Sequence, residues 1–211
     1  MHALRSPIAR LTALAGLALA LTAGSARADL AIGDAVPMKD VKMAGVNGKA
    51  VTLADVAGKK GTLVVFTCNH CPWAKMWQTR VTEIGNAAGK AGIGMVAINA
   101  NDPADYPEDD MNGMKQRAKQ LGMKFPYVVD ATSDVARAFG ATRTPEAFLF
   151  DAEGKLVYHG TIDDSPKDAT AVKDAWLKAA VNEVAAGKTV TTAETKAMGC
   201  SIKFRAAKST S

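Results

Sequence analysis

Cysteine is scarce in this 211-residue chain, which has three: Cys68, Cys71 and Cys200. The chain can hold one internal disulfide at most, and one thiol is left over if Cys68 and Cys71 pair. Aromatic residues are few, at 6%, and the lysines and arginines are scattered without aromatic interleaving. The chain therefore lacks the footprint of a nucleic-acid binder. No cysteine stands near the N-terminus to carry a lipid, and Pro72, not His, follows Cys71, which excludes the haem-attachment pattern. What remains is an ordinary globular composition, 48% hydrophobic and 22% charged, enough for one domain with a good core.

The first residues are set apart from that domain. His2, Arg5 and Arg10 precede an apolar run from Leu11 to Ala23, and Ala26-Arg27-Ala28 follows it. A basic start, an apolar stretch too short to span a bilayer comfortably and a small-x-small site read as a secretory signal peptide removed after Ala28. Residues 29–190 would then form the folded domain and 191–211 a C-terminal tail carrying Cys200. Losing Arg5, Arg10 and Arg27 leaves 23 basic residues against 21 acidic, so the formal charge of +5 falls to near +2. Export places the chain in the periplasm, where disulfides are permitted, with no stable membrane association once the signal is cleaved.

The chemistry is concentrated in one stretch, Gly61-Thr-Leu-Val-Val-Phe-Thr-Cys-Asn-His-Cys-Pro-Trp-Ala-Lys75. A continuous apolar run, 62–67, predicts a strand buried on both faces. It runs directly into Cys-x-x-Cys, and Pro72 sits where the first turn of a helix tolerates it. Trp77, Val81, Ile84 and Ala88 then fall on one helical face. Before this stretch, Val46-Asn-Gly-Lys49 predicts a hairpin turn. After it, 94–99 reads as a second buried strand, and the two strands with their helix make a βαβ unit with parallel strands and a right-handed crossover.

Pro107, with Glu108, Asp109 and Asp110 in a first turn, predicts the start of a helix that Gly122 ends. Met111 and Met114 read as core filling on its buried face. A third strand at 125–129, a short helix at 134–139, an antiparallel hairpin from Glu146 to Gly160, and a last helix through Val172, Trp176, Ala179 and Val184 complete the order. The sum is an α/β fold, a mixed sheet with helices on both faces.

With Cys-Asn-His-Cys at a strand-helix junction, a distant Thr144-Pro145 and that order of elements, the chain resembles the thioredoxin superfamily. It is more narrowly similar to the redoxin branch, the peroxiredoxin-like and TlpA-type proteins. Phe66-Thr-Cys-Asn-His-Cys-Pro72, Ile98-Asn-Ala-Asn101, Tyr106-Pro-Glu-Asp109, Phe125-Pro-Tyr127, Ile162-Asp-Asp-Ser165 and Gly199-Cys-Ser-Ile-Lys203 look like an uncharacterised bacterial group of thioredoxin-family proteins. The resemblance implies a thioredoxin-like fold with an N-terminal hairpin and an inserted helix. It also implies a cis bond before Pro145, and a Thr144 that faces the two sulfurs and pairs its backbone with a substrate. Two departures stand out. Peroxiredoxins bind peroxide with a Thr or Ser and a Pro at positions that here hold Val65 and Gly61, and thioredoxins carry Trp where this chain has Thr67.

The expected activity is thiol-disulfide exchange with protein thiols and disulfides and with a redox partner that recharges the pair, needing no cofactor and no metal. Cys68, at the helix N-terminus, is expected to be the attacking thiolate and Cys71 the more shielded resolving thiol. A protonated His70 between them would stabilise the Cys68 thiolate and make the couple more oxidising. Cys200 is either a second resolving thiol or a free tail cysteine. The alternatives are a thiol peroxidase, and a copper-binding metallochaperone using Cys68, Cys71, Cys200 and His159.

Overall fold

The computed structural model describes residues 30–104 and 106–206; the expected signal peptide lies outside them. Strands β1 (Met43–Gly45) and β2 (Ala50–Val51) form the antiparallel hairpin expected at the Asn47-Gly48 turn. Strand β3 (Gly61–Phe66) leads into α1 (Pro72–Lys90), and β4 (Ile93–Asn99) returns parallel to β3. A 3-10 turn (Pro107–Asp109) and α2 (Met111–Leu121) connect β4 to β5 (Tyr127–Val129), which is again parallel. Helix α3 (Asp134–Phe139), the two-residue β6 (Arg143–Thr144), and the hairpin of β7 (Glu146–Asp151) and β8 (Leu156–Gly160) follow. Helix α4 (Trp176–Ala185) and β9 (Cys200–Ser201) end the chain.

The main sheet runs β2-β1-β5-β4-β3-β7-β8, so β3 is interior, with β4 parallel on one side and β7 antiparallel on the other. All six of its residues are buried, as a strand covered on both faces requires. Alternation divides them. Val64 and Phe66 join Val96, Ile98, Phe148 and the α3 residues Val135 and Phe139 in one core. Leu63 and Val65 join Trp77 and Val81 of α1, and Leu177, Ala180 and Val181 of α4, in the other. Helix α2 seals the β4-β5 end through Met114 against Ala97 and Tyr127. Among the described residues no helix is long and apolar enough to cross a membrane.

Two elements differ from expectation. The helix expected to begin at Pro107 is broken: the 3-10 turn stops, Asp110 is extended (φ −69°, ψ 169°), and α2 starts afresh with the Asp110 side chain accepting from the Gly113 amide at 2.7 Å. Gly113 is required at this joint, because a Cβ there would lie 2.2 Å from the Glu108 carbonyl oxygen. Helix α4 begins at Trp176 rather than near Val172, because the amides of Lys173 and Asp174 donate to the Asp164 carboxylate at 3.0 and 3.1 Å and stay outside the helix. Its buried face is Leu177, Ala180, Val181 and Val184, and Ala179 is exposed.

Residues 191–206 lie against the domain. Beside β8 the His159 amide donates to the Ala193 carbonyl and the Thr195 amide to the His159 carbonyl, β9 pairs antiparallel with β6, and Ile202 is buried in the α3-side core. The two-stranded sheet of β6 and β9 is absent from the sequence-level expectation, which left the tail without an element.

Candidate active site

The two cysteines lie where the central strand gives way to α1. Phe66 ends β3, Thr67 and Cys68 follow, and Cys71 occupies the N-cap position ahead of Pro72, whose missing N-H costs nothing in a first turn. Both thiols are shielded, Cys68 at 5% exposure and Cys71 at 0%. All three cysteines are free thiols. The Thr144-Pro145 bond is cis, and Thr144 faces both sulfurs: Cys68 Sγ lies 3.3 Å from the Thr144 hydroxyl oxygen, and Cys71 Sγ 3.3 Å from the Thr144 carbonyl oxygen. Cys68, Cys71, Thr144 and Pro145 are thus brought together across 73 residues of chain.

The two residues between the cysteines point into the protein. Asn69 is buried; its amide donates to Asp109 Oδ1 at 2.6 Å, its side-chain nitrogen donates to the Glu108 carbonyl at 2.5 Å, and the Tyr127 hydroxyl donates to its oxygen at 3.1 Å. His70 Nδ1 sits 2.5 Å from Asp109 Oδ2, and its ring stacks on Tyr106 with centroids 3.8 Å apart. Asn101 completes the set, donating to Asp109 Oδ2 at 3.0 Å. Asp109 is 1% exposed, so the 3-10 turn exists to carry a buried carboxylate to the Cys-x-x-Cys loop. Asp109 is the site residue that the sequence reading assigned to a different task, compensation of a helix dipole.

A protonated His70 is an ion-pair partner of Asp109, and a His70 ring nitrogen also lies within 4.8 Å of the Cys68 sulfur. The cysteine pair is governed by its own shared hydrogen bond. Cys71 is lowered to about 4, first by the hydrogen bond from Cys68, with Cys200, the Ala74 amide and Thr144 adding to it against the effect of burial. Cys68 is pushed up by the same shared bond, by burial and by the Asp109 carboxylate. One proton of the pair leaves easily and the second does not. Once the first proton is lost the two thiols share one negative charge, beside the N-terminus of α1. Moving the shared proton across the pair puts the thiolate on Cys68, where the Thr144 hydroxyl can donate to it, and leaves a Cys71 thiol able to donate to the Thr144 carbonyl.

Cys200 comes to the same place. It pairs across from Thr144 in the β6-β9 register and packs on the cluster of Cys68, Cys71 and Ala74. His159 does not join it: its Nε2 is 2.7 Å from Glu146 Oε1, and its ring stacks on Phe148 at 4.4 Å. The four-ligand set of Cys68, Cys71, Cys200 and His159 is thus not assembled. Among the described residues the potential ligand atoms that cluster within 4.8 Å of one another are those of Cys68, His70 and Asp109. The hydrogen bond already joining His70 to Asp109 accounts for two of the three.

The sequence profile described as Redoxin matches residues 31–176. Thiol-disulfide oxidoreductase ResA of Geobacillus thermodenitrificans is 27% identical over 127 residues, which are 60% of this chain and 67% of that protein. ResA of Bacillus thuringiensis subsp. konkukian is 26% identical over 112 residues, and the aligned part spans 60% of its length. Among solved structures, an uncharacterized conserved protein from Geobacillus kaustophilus is 36% identical, with a TM-score of 0.77, covering 83% of this chain and 93% of that one. With a profile match over most of its length and the strand, Cys-x-x-Cys and cis-proline in their places, the chain belongs to the redoxin family.

Proposed function

We propose that the protein is a thiol-disulfide oxidoreductase that exchanges with protein thiols and disulfides through Cys68 and Cys71. The observation that carries this reading is the position of Thr144, which contacts both sulfurs while preceding the cis-proline. An isolated structural disulfide has no use for a shared hydroxyl and carbonyl. In the reduced form, proton transfer from Cys68 to Cys71 generates the Cys68 thiolate, the less shielded of the two. It attacks one sulfur of a partner disulfide, and the partner's other sulfur leaves as a thiolate. Cys71, deprotonated in turn, attacks the Cys68 sulfur of the mixed disulfide and releases the second partner thiolate, leaving Cys68 and Cys71 oxidised. The reverse sequence reduces the pair at the expense of partner thiols. The similarity to ResA proteins supports the reaction class; the partner remains defined by its chemistry, a protein disulfide or dithiol.

A thiol peroxidase is disfavoured by Val65, which is buried in the α1-side core and offers no hydroxyl to a peroxide. Metal delivery is disfavoured by the separation of His159 from the thiols described above.

The site of action we propose is the periplasm, supported by the basic, apolar and small-x-small pattern of the first 28 residues. N-terminal sequencing of the chain recovered from a periplasmic fraction should begin at Asp29; a chain retained inside with Met1 intact contradicts export.

With insulin as a model disulfide substrate, Cys68→Ser should lose turnover to background and Cys71→Ser should accumulate a mixed disulfide at Cys68. Wild-type turnover by Cys68→Ser would contradict the mechanism.

Asp109 is a positioning residue in this scheme, and its charge acts on Cys68. In a chain whose only thiol is Cys68, with Cys71 and Cys200 replaced by Ser, the pH midpoint for alkylation of Cys68 should fall when Asp109→Asn removes the carboxylate that helps push the thiol up. Removing charge-assisted bonds to three donors should also destabilise the protein, by about 1–3 kcal/mol in urea unfolding. A midpoint that stays or rises removes Asp109 from the electrostatics of the site.

A further inference from the structure

The tail is built to approach the cysteine pair, and its contacts are specific. Gly199 lies so close to Thr144 that a Cβ would be 2.3 Å from the Thr144 carbonyl oxygen, so no other residue fits without moving the strand. Cys200 follows in register with Thr144. The Ile202 amide then donates to the Thr142 carbonyl at 2.9 Å, the Lys203 amide to Asn101 Oδ1 at 2.8 Å, and the Asp102 amide to the Lys203 carbonyl at 2.7 Å. The edge that the family resemblance reserves for a partner's backbone is filled by this chain's own strand, and that strand places a thiol at the site.

The contact has a direction. Cys200 packs against the cluster of Cys68, Cys71 and Ala74 from the tail side, and of the two active-site thiols it is Cys71 whose ionisation the Cys200 thiol favours. Part of what disfavours the Cys200 thiolate is the Cys71 charge, and that charge is gone once Cys71 is in a disulfide, while Lys203 continues to favour ionisation.

We propose that Cys200 is a third redox thiol and that its exchange partner is Cys71, so that the protein carries a second, alternative disulfide, Cys71–Cys200. The inference rests on the thiol-exchange reading above. Starting from the Cys68–Cys71 disulfide left by a partner, the Cys200 thiolate attacks the Cys71 sulfur. The Cys71–Cys200 bond forms, the Cys68–Cys71 bond breaks, and Cys68 leaves as the thiolate. No electron enters or leaves the chain, and the proton released by Cys200 is matched by one taken up at Cys68. The exchange returns a free Cys68 while the chain stays oxidised. It also ties the tail to Thr144's edge, which a partner backbone cannot then use.

Disulfide mapping tests this. Trypsin cuts the chain so that Cys68 and Cys71 lie in peptide 61–75 and Cys200 in peptide 197–203. The mature Cys68→Ser chain is equilibrated with oxidised glutathione, quenched by alkylation and digested from its monomer band. Peptide 61–75 should be found linked to 197–203 in most molecules. Gly199→Val, added to that variant to lift the tail while keeping the thiol, should slow formation of the link by about tenfold or more, because proximity supplies most of the rate. Cys71 and Cys200 carrying glutathione separately, or linked only in covalent dimers, would overturn the inference. Failure of the thiol-exchange reading is a different result: a Cys200→Ser chain, in which the rearrangement is blocked, would then form no Cys68–Cys71 link within peptide 61–75 under the same conditions.

Discussion

A carboxylate sealed from water must find donors, and the donors it finds here set the shape of the Cys-x-x-Cys loop. Asp109 takes one bond each from the Asn69 amide, His70 and Asn101. Charge-assisted bonds of this kind contribute roughly 1.5–3 kcal/mol each, and an unpaired buried charge costs several times that. The loop between β3 and α1 is thus fastened from outside by the insertion between β4 and β5. Sheet and helix bring the cysteines to the junction of β3 and α1, and the 3-10 turn fixes what lies between them. The same carboxylate adds to what the Cys71 sulfur and burial do in disfavouring a thiolate at Cys68, so the anchor also acts on the electrostatics of the pair.

The two thiols share a single proton once the first is lost, and a shift of that proton between them exchanges the two protonation patterns. Thr144 serves both patterns, its hydroxyl facing Cys68 and its carbonyl facing Cys71. The low proton affinity of the pair stabilises the reduced form relative to the disulfide, which biases the couple in the oxidising direction.

The central part of the fold was legible because its signals are local. A buried strand is a run of apolar residues, Pro72 marks a helix start, and the Asn47-Gly48 turn marks a hairpin, each readable within a few positions. What escaped depends on partners far along the chain. Glu108, Asp109 and Asp110 have the composition of a helix's first turn, and only the donors on Asn69, His70 and Asn101 turn Asp109 inward. Val172 has the spacing of a helical residue until Asp164 claims the amides after it. His159 alternates on its strand as a ligand would, and Glu146 and Phe148 hold it. Cys200 was visible as an unpaired thiol, but its place depends on Gly199 lying flat against Thr144, a contact across 55 residues that no local pattern encodes. The motifs Ile98-Asn-Ala-Asn101 and Tyr106-Pro-Glu-Asp109 signalled the family before their shared purpose, the holding of one carboxylate, was apparent.

The first proton of the Cys68/Cys71 pair leaves easily, and that favours the reduced form. The reduction potential of Cys68/Cys71 at pH 7, measured in glutathione buffers with Cys200→Ser to isolate the couple, tests it most directly. The lowered proton affinity of Cys71 stabilises the reduced form at that pH and moves the couple in the oxidising direction. The potential should lie above thioredoxin's, which is about −270 mV. A value at or below that of thioredoxin would contradict it.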